Sequence, residues 1–271
     1  MCSAVTALYS PAFNTRVTIE SLRDLFRGPR ASDMLPSNPA LRRRVLYTLL
    51  LCGACTSIIA TVVGAALDAP RYVASVAAVF IGASVLIQRG AESSHPHAAF
   101  GPANLVTTIR LAMVALVAGL MVAPVTTTTA WAAAFVSLAA VTLDGVDGWL
   151  ARRTGMASAF GARFDMETDA LLILVLALVA WRHERAGAWI VLAGALRYLF
   201  VAAGYAWSWM NGELPPSLRR KTVCVLQIGG LCAVVAPVLA APVALVIAGG
   251  TLVALSWSFG VDVWWLKRHG A

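Results

Sequence analysis

Hydrophobic residues along this chain fall in long unbroken runs separated by short polar connectors, and nowhere do they alternate with polar ones. Runs of about twenty residues match the thickness of a bilayer crossed as helix, whereas membrane barrels need alternating ten-residue strands. The pattern places spans at 45–66, 71–88, 104–123, 128–150, 166–182, 187–209, 222–240 and 242–265. Punctuation supports them: Pro70 and Pro124 fall in turns, Pro215 and Pro216 in a loop, and Pro237 and Pro242 close a tight connection. The prediction is an all-α integral membrane protein of eight spans with both termini on one side.

Composition agrees. Of 271 residues, 59% are hydrophobic and 13% charged, against about 25% charged in a soluble domain. An ordinary cytosolic domain, a disordered chain and a fibrous one are all excluded. Net charge is +8, from 21 Lys and Arg against 13 Asp and Glu. In a membrane protein such an excess marks cytoplasmic loops rather than nucleic-acid binding. With the N-terminus inside, the inner segments hold the N-terminal arm, Arg89, Arg152, Arg153, Arg163, Arg219, Arg220, Lys221, Lys267 and Arg268. The outer loops hold Arg71, Arg182 and Arg185. Both termini are therefore expected in the cytoplasm of a bacterial-type inner membrane, and no nucleic-acid partner is expected.

Residues 1–44 form a polar, basic arm, either an amphipathic helix lying on anionic lipid or a disordered tail. Residues 45–99 hold two spans and a polar connector whose His95 and His97 read as solvated loop residues. Residues 100–271 hold six spans. Cys52 and Cys55 form a CxxC inside an apolar run with no second pair, so they read as small packed residues rather than zinc or redox ligands. Trp257, Trp264 and Trp265 read as interfacial anchors.

Five of the 13 acidic residues lie between positions 144 and 169: Asp144, Asp147, Asp165, Glu167 and Asp169. An Asp at a helix centre costs roughly 3 kcal/mol to insert, and four facing lipid would cost on the order of 10. They must face a cavity, pair with cations or bind metal. Asp144 and Asp147 share one helical face by their i, i+3 spacing, and Asp165 and Asp169 share another by i, i+4. Convergent carboxylates suit a hard ion such as Mg²⁺ or Mn²⁺. Gly148 and Gly161 sit one turn from Asp144 and Asp165 and permit close approach. Arg152, a turn beyond Gly148, is placed to clamp a phosphate. Glu167 lies off the Asp165/Asp169 face and reads as structural. The constellation points to phosphoryl transfer.

Written out, the stretch is Asp144-x2-Asp147-Gly148-x2-Ala151-Arg152-x8-Gly161-x3-Asp165-x3-Asp169. It resembles the signature of the CDP-alcohol phosphotransferase family at every fixed position, and eight such matches arise by chance on the order of 10⁻¹⁰ per start. Pro102-Ala103-Asn104-Leu105-Val106-Thr107 is similar to the start of the family's first helix, with one extra residue after the proline, and Arg219-Arg220-Lys221-Thr222 to a basic segment before its fifth. The resemblance implies a six-helix core over 100–271, with the helices at 45–66 and 71–88 appended. It implies a binuclear Mg²⁺ or Mn²⁺ site on Asp144, Asp147 and Asp165, with Asp169 as further ligand and general base. Asn104, Leu105, Val106, Thr107, Gly148, Arg152, Ser158 and Gly161 would hold the CDP-alcohol. Arg197, Arg219, Arg220 and Lys221 would face the acceptor, although buried pairing is an equal reading for Arg197.

The implied reaction serves phospholipid biosynthesis: a substituted phosphate moves from a CDP-alcohol, foremost CDP-diacylglycerol, to a small alcohol acceptor, and CMP leaves. The basic run favours a phosphorylated acceptor and hence a phosphatidylglycerophosphate-synthase-like activity. Inositol phosphate or serine as acceptor, and CDP-choline or CDP-ethanolamine as donor, stay open. A homodimer, with the site facing the cytoplasm, is implied as well. The rival class is a transporter or cation channel, which would spread polar residues through the bilayer depth rather than cluster them. An inactive family scaffold is the third reading, and the intact aspartates argue against it.

Overall fold

A computed structural model of the chain describes residues 39–95, 97, 99–212, 214, 215 and 217–269. The arm over 1–38, where the amphipathic-helix expectation falls, lies outside the described residues. Among those described there are eight α-helices and no strand: α1 Pro39–Ala66, α2 Tyr72–Ser94, α3 Pro102–Gly119, α4 Thr127–Thr154, α5 Ala159–Arg182, α6 Val191–Ala206, α7 Leu218–Val235 and α8 Ala241–His269. Short 3₁₀ turns follow α3 and flank α6. Because of them, the span expected at 187–209 is helical in three pieces rather than one.

Six of the helices are long and apolar enough to cross a membrane. The exceptions are α5 and α7. Arg163, Asp165, Glu167 and Asp169 fill the first half of α5, and Arg219, Arg220 and Lys221 open the 18-residue α7. Of the two, α5 carries aspartates of the candidate site, and both helices pack against several neighbours.

The ends of the helices follow from local chemistry. Thr126 caps α4 in a reciprocal box with Thr129, and the left-handed Gly155 (φ 65°) ends it, one residue past the helix. Arg152 and Arg153 lie in that last turn, where cations complement the helix dipole. Ser158 then caps α5 by accepting from the Gly161 N–H. This cap starts α5 at residue 159, earlier than the span at 166–182 that hydropathy outlines. Pro102 opens α3, after Gly101 has turned the chain at φ 84°.

The centre of the bundle is α3. Of its apolar window 61% is buried, against 22% for α1, α2, α6 and α8, which present their remaining surface outward. It packs against α1, α2, α4 and α5, while α5 also meets α6 and α7, and α8 closes on α6 and α7. The pair α1–α2 docks onto α3 where Gly119 leaves room. A β-carbon there would come within 2.6 Å of Val76 and 2.7 Å of Tyr72. The Tyr72 hydroxyl donates to the Leu116 carbonyl at 2.7 Å. Among the described residues no disulfide joins Cys52, Cys55, Cys224 or Cys232.

Candidate active site

Asp144 and Asp147 come from the second half of α4, and Asp165 and Asp169 from the first half of α5. All four are buried. The short connector 155–158 turns the chain back so that the two acidic faces meet. One carboxylate oxygen from each of Asp144, Asp147 and Asp165 lies within 4.8 Å of the others. Their spacing along each helix made this convergence legible.

A residue outside the sequence-derived set joins them. Arg110, on α3, is 1% exposed. Its Nη1 lies 3.2 Å from Asp144 Oδ1 and donates to Asp147 Oδ2 at 2.8 Å. The same nitrogen donates to Asp165, and Nη2 to Asp169. Its Nε donates to the Ala140 carbonyl at 3.1 Å. A guanidinium is the side chain that can serve several carboxylates at once, because its donors form a rigid planar fork. Thr107 Oγ1 adds a hydrogen bond to Asp147 Oδ2 at 3.1 Å. The signal for Arg110 was present: it is an ionisable residue in the middle of an apolar span, one turn beyond Thr107.

The charges decide what the centre can hold. One guanidinium offsets one charge among four carboxylates, a formal excess of up to three negative charges. Asp144 Oδ1 is buried and meets Arg110 Nη1 as an ion pair at 3.2 Å, outside hydrogen-bond geometry. An all-oxygen donor set of this charge suits a divalent cation. The residues fit a hard metal ion.

A cleft opens beside the aspartates. Asn104, Thr107, Gly148, Arg152, Ser158 and Gly161 line it together with Asp147 and Asp165. Six of the eight positions expected to hold a CDP-alcohol thus share one cleft. Leu105 and Val106 do not line it. The pitch of α3 turns Leu105 outward, 41% exposed, while Asn104 and Thr107 point in. Gly161 lets α3 pack closely on α5: a β-carbon there would stand 2.9 Å from Asn104 Oδ1 and 3.3 Å from Ser158 Oγ, and one of those side chains would have to shift.

The expected acceptor residues lie elsewhere. Arg197, on α6, pairs with Glu167. Arg219 donates to Ser258 and pairs with Asp262, and Arg220 reaches Asp262 at 3.3 Å and the Pro215 carbonyl. Asp262 offsets one of the three charges in Arg219–Lys221. None of these four lines the cleft.

The histidine connector differs from the expectation of solvated residues. His95 is buried and bonded to the cleft residue Ser158. Two aromatic rings, Phe100 and Phe160, draw it under the loop.

Against known proteins, the CDP-alcohol phosphatidyltransferase family profile matches residues 100–261. A CDP-diacylglycerol–glycerol-3-phosphate 3-phosphatidyltransferase of Pseudomonas fluorescens is 32% identical over 122 residues, 44% of this chain and 62% of the relative. The chain thus spans less than two thirds of that relative's length. No solved structure matches the chain. The aspartate pairs at 144/147 and 165/169 and the cleft beside them lie within the matched region, and the chain belongs to the CDP-alcohol phosphatidyltransferase family.

Proposed function

We propose that this protein is a membrane phosphatidyltransferase of phospholipid biosynthesis that moves a phosphatidyl group from CDP-diacylglycerol to a small alcohol and releases CMP. The observation that carries this reading is the set of buried aspartates converging from α4 and α5 beside a cleft lined by Asn104, Thr107, Gly148, Arg152, Ser158 and Gly161. Glycerol 3-phosphate is the proposed acceptor. It is the acceptor in the printed name of the Pseudomonas relative, and the cationic excess of Arg219–Lys221 suits a phosphorylated molecule.

Asp144, Asp147 and Asp165 would hold one or two Mg²⁺ or Mn²⁺ ions, with Asp169 as a further ligand. When bound, such ions neutralise the donor pyrophosphate and the charge that grows on it during transfer. The chain's own groups do the rest. Arg152 at the cleft edge binds donor phosphate oxygen, and Gly148 and Gly161 let the nucleotide approach backbone. Asp169 accepts the proton of the acceptor hydroxyl. That oxygen bonds to the phosphorus bearing diacylglycerol, the bond from this phosphorus to the bridging oxygen breaks, and CMP leaves with the electron pair. Arg110 holds the four carboxylates in one register throughout.

In the membrane, residues 100–271 form the transferase unit, α1 and α2 are appended, both termini and the cleft face the cytoplasm, and the protein works as a homodimer. The arginine distribution supports the orientation.

The test is CMP release by the purified full chain in detergent, supplied with CDP-diacylglycerol, Mg²⁺ or Mn²⁺ and each acceptor in turn. Release with glycerol 3-phosphate that falls by about 10²–10⁴ in Asp169→Asn is the expected result for loss of a general base. No release from folded protein with any acceptor removes the transferase reading. Release that persists in Asp169→Asn removes the base.

A further inference from the structure

The cleft is touched from a part of the chain that the family match does not reach. His95 follows the last residue of α2, five positions before the matched region begins. It is 4% exposed, edge-on to Phe160 and Phe100 at ring-centroid separations of 5.4 and 6.5 Å, with the His97 ring 5.5 Å away. Both ring nitrogens are engaged. Nε2 lies 2.9 Å from the Ala99 carbonyl oxygen, and Nδ1 lies 3.3 Å from Ser158 Oγ.

These partners fix the tautomer. A carbonyl only accepts, so Nε2 carries the proton. A neutral imidazole has one N–H, so Nδ1 is an acceptor and the Ser158 hydroxyl donates to it. Ser158 Oγ meanwhile accepts from the Gly161 N–H at 3.0 Å as the cap of α5. The serine proton is committed to His95, and what Ser158 has left for the cleft is a lone pair. Burial, aided by His97, holds the His95 imidazole below its ordinary range against the raising effect of the Ala99 hydrogen bond, which favours the neutral form that this arrangement needs.

We infer that His95 is a positioning residue for the nucleotide cleft: through its hydrogen bond to Ser158 it makes that serine an acceptor toward the bound ligand. This rests on the reading of the cleft as the CDP site. An acceptor recognises a ligand N–H or O–H, such as a ribose hydroxyl or the cytosine amine, and gives nothing to an ionised phosphate oxygen, which itself only accepts. Ser158 therefore reads the nucleoside, and the phosphates fall to Arg152. The same link ties the appended helices to the site, because His95, the residue after α2, bonds to the serine that caps α5.

One arm of the test needs no catalysis. The full chain, with its four histidines labelled with ¹⁵N, is observed in detergent by long-range ¹⁵N–¹H spectra, and His95 is identified by its loss in His95→Gln. The expected result is the Nε2–H tautomer, with an Nδ1 resonance that moves in Ser158→Ala. An Nδ1–H tautomer, or an Nδ1 resonance indifferent to Ser158→Ala, overturns the inference. Absence of CMP release from folded wild-type protein would instead overturn only the transferase reading.

The kinetic arm uses side-chain shape. An asparagine amide overlays Nδ1, and a glutamine amide overlays Nε2. His95→Gln should raise KM for CDP-diacylglycerol about 5- to 10-fold, the loss of roughly one hydrogen bond, with kcat changed less than about 2-fold. His95→Asn should recover most of that loss. Ser158→Ala should give a similar rise, and the double variant His95→Gln/Ser158→Ala no further one, because both act through one link. Equal losses in the Gln and Asn variants, additive losses in the double, or a change confined to kcat would overturn the positioning role.

Discussion

Replacing Arg110 by methionine tests the electrostatics of the whole centre. Methionine keeps the unbranched aliphatic stem and removes only the fork that touches Asp144, Asp147, Asp165 and Asp169. Taking away one partner of a buried ion pair costs about 3–5 kcal/mol, chiefly because the other charge stays buried without compensation. Here one guanidinium compensates four carboxylates, so the loss belongs at the upper end. At about 2–4 °C per kcal/mol for a domain of this size, the unfolding midpoint in EDTA should fall by on the order of 10–15 °C. Intrinsic fluorescence of the nine tryptophans in detergent micelles follows the transition. A divalent ion that binds the folded centre should return about 2.7 kcal/mol at a concentration a hundredfold above its Kd. Mn²⁺ should therefore stabilise Arg110→Met more than it stabilises the wild type, whose centre already holds a fixed cation. Arg110→Lys should recover only part of the loss, since an ammonium reaches fewer carboxylates in fixed geometry. An Arg110→Met protein that melts in EDTA within about 2 °C of wild type, a shift below about 1 kcal/mol, would overturn this account and mean that the four aspartates are not ionised together.

Three further outcomes follow from particular contacts. Gly194→Ala drives a β-carbon to within 2.4 Å of the Leu174 backbone, so α5 and α6 must separate; a loss of about 1–3 kcal/mol in thermal unfolding is expected, whereas Gly82→Ala, with nothing within 4 Å, should be neutral. The Arg197–Glu167 pair should couple by about 1 kcal/mol in a double-mutant cycle on stability, and Arg197→Gln should leave KM for glycerol 3-phosphate within about 2-fold; a rise of about tenfold would return Arg197 to the acceptor site. The imidazoles of His95 and His183 both lie below the usual histidine range, each chiefly through burial. Below an unfolded pKa of about 6.5 the unfolded chain binds more protons than the folded one, so stability should decline as pH drops through 6.5 and level off beneath the folded values. His95→Asn should flatten that decline, and an unchanged pH profile of the midpoint would show that His95 is not held neutral.

Hydropathy alone makes the chain a helical membrane bundle, because twenty-residue apolar runs have no other stable solution in lipid. Spacing alone also defines the aspartate faces. The i, i+3 and i, i+4 intervals are properties of one helix and need no tertiary knowledge. Long-range placement is different. Arg110 lies 34 residues before Asp144, and only the packing of α3 against α4 and α5 brings its guanidinium among the carboxylates. Leu105 and Val106 sit inside a matching motif, yet the rotation of α3 about its axis, set by what it packs on, turns Leu105 to the outside. Arg219 and Arg220 read as open cations in a loop until α8 delivers Asp262 beside them. His95 read as a solvated connector residue because its partners, Ser158, Phe100 and Phe160, become neighbours only when α2 docks. Local periodicity records which residues share a face. Which face meets which is decided by the sum of many weak packing contacts between helices, and no short stretch of sequence carries that sum.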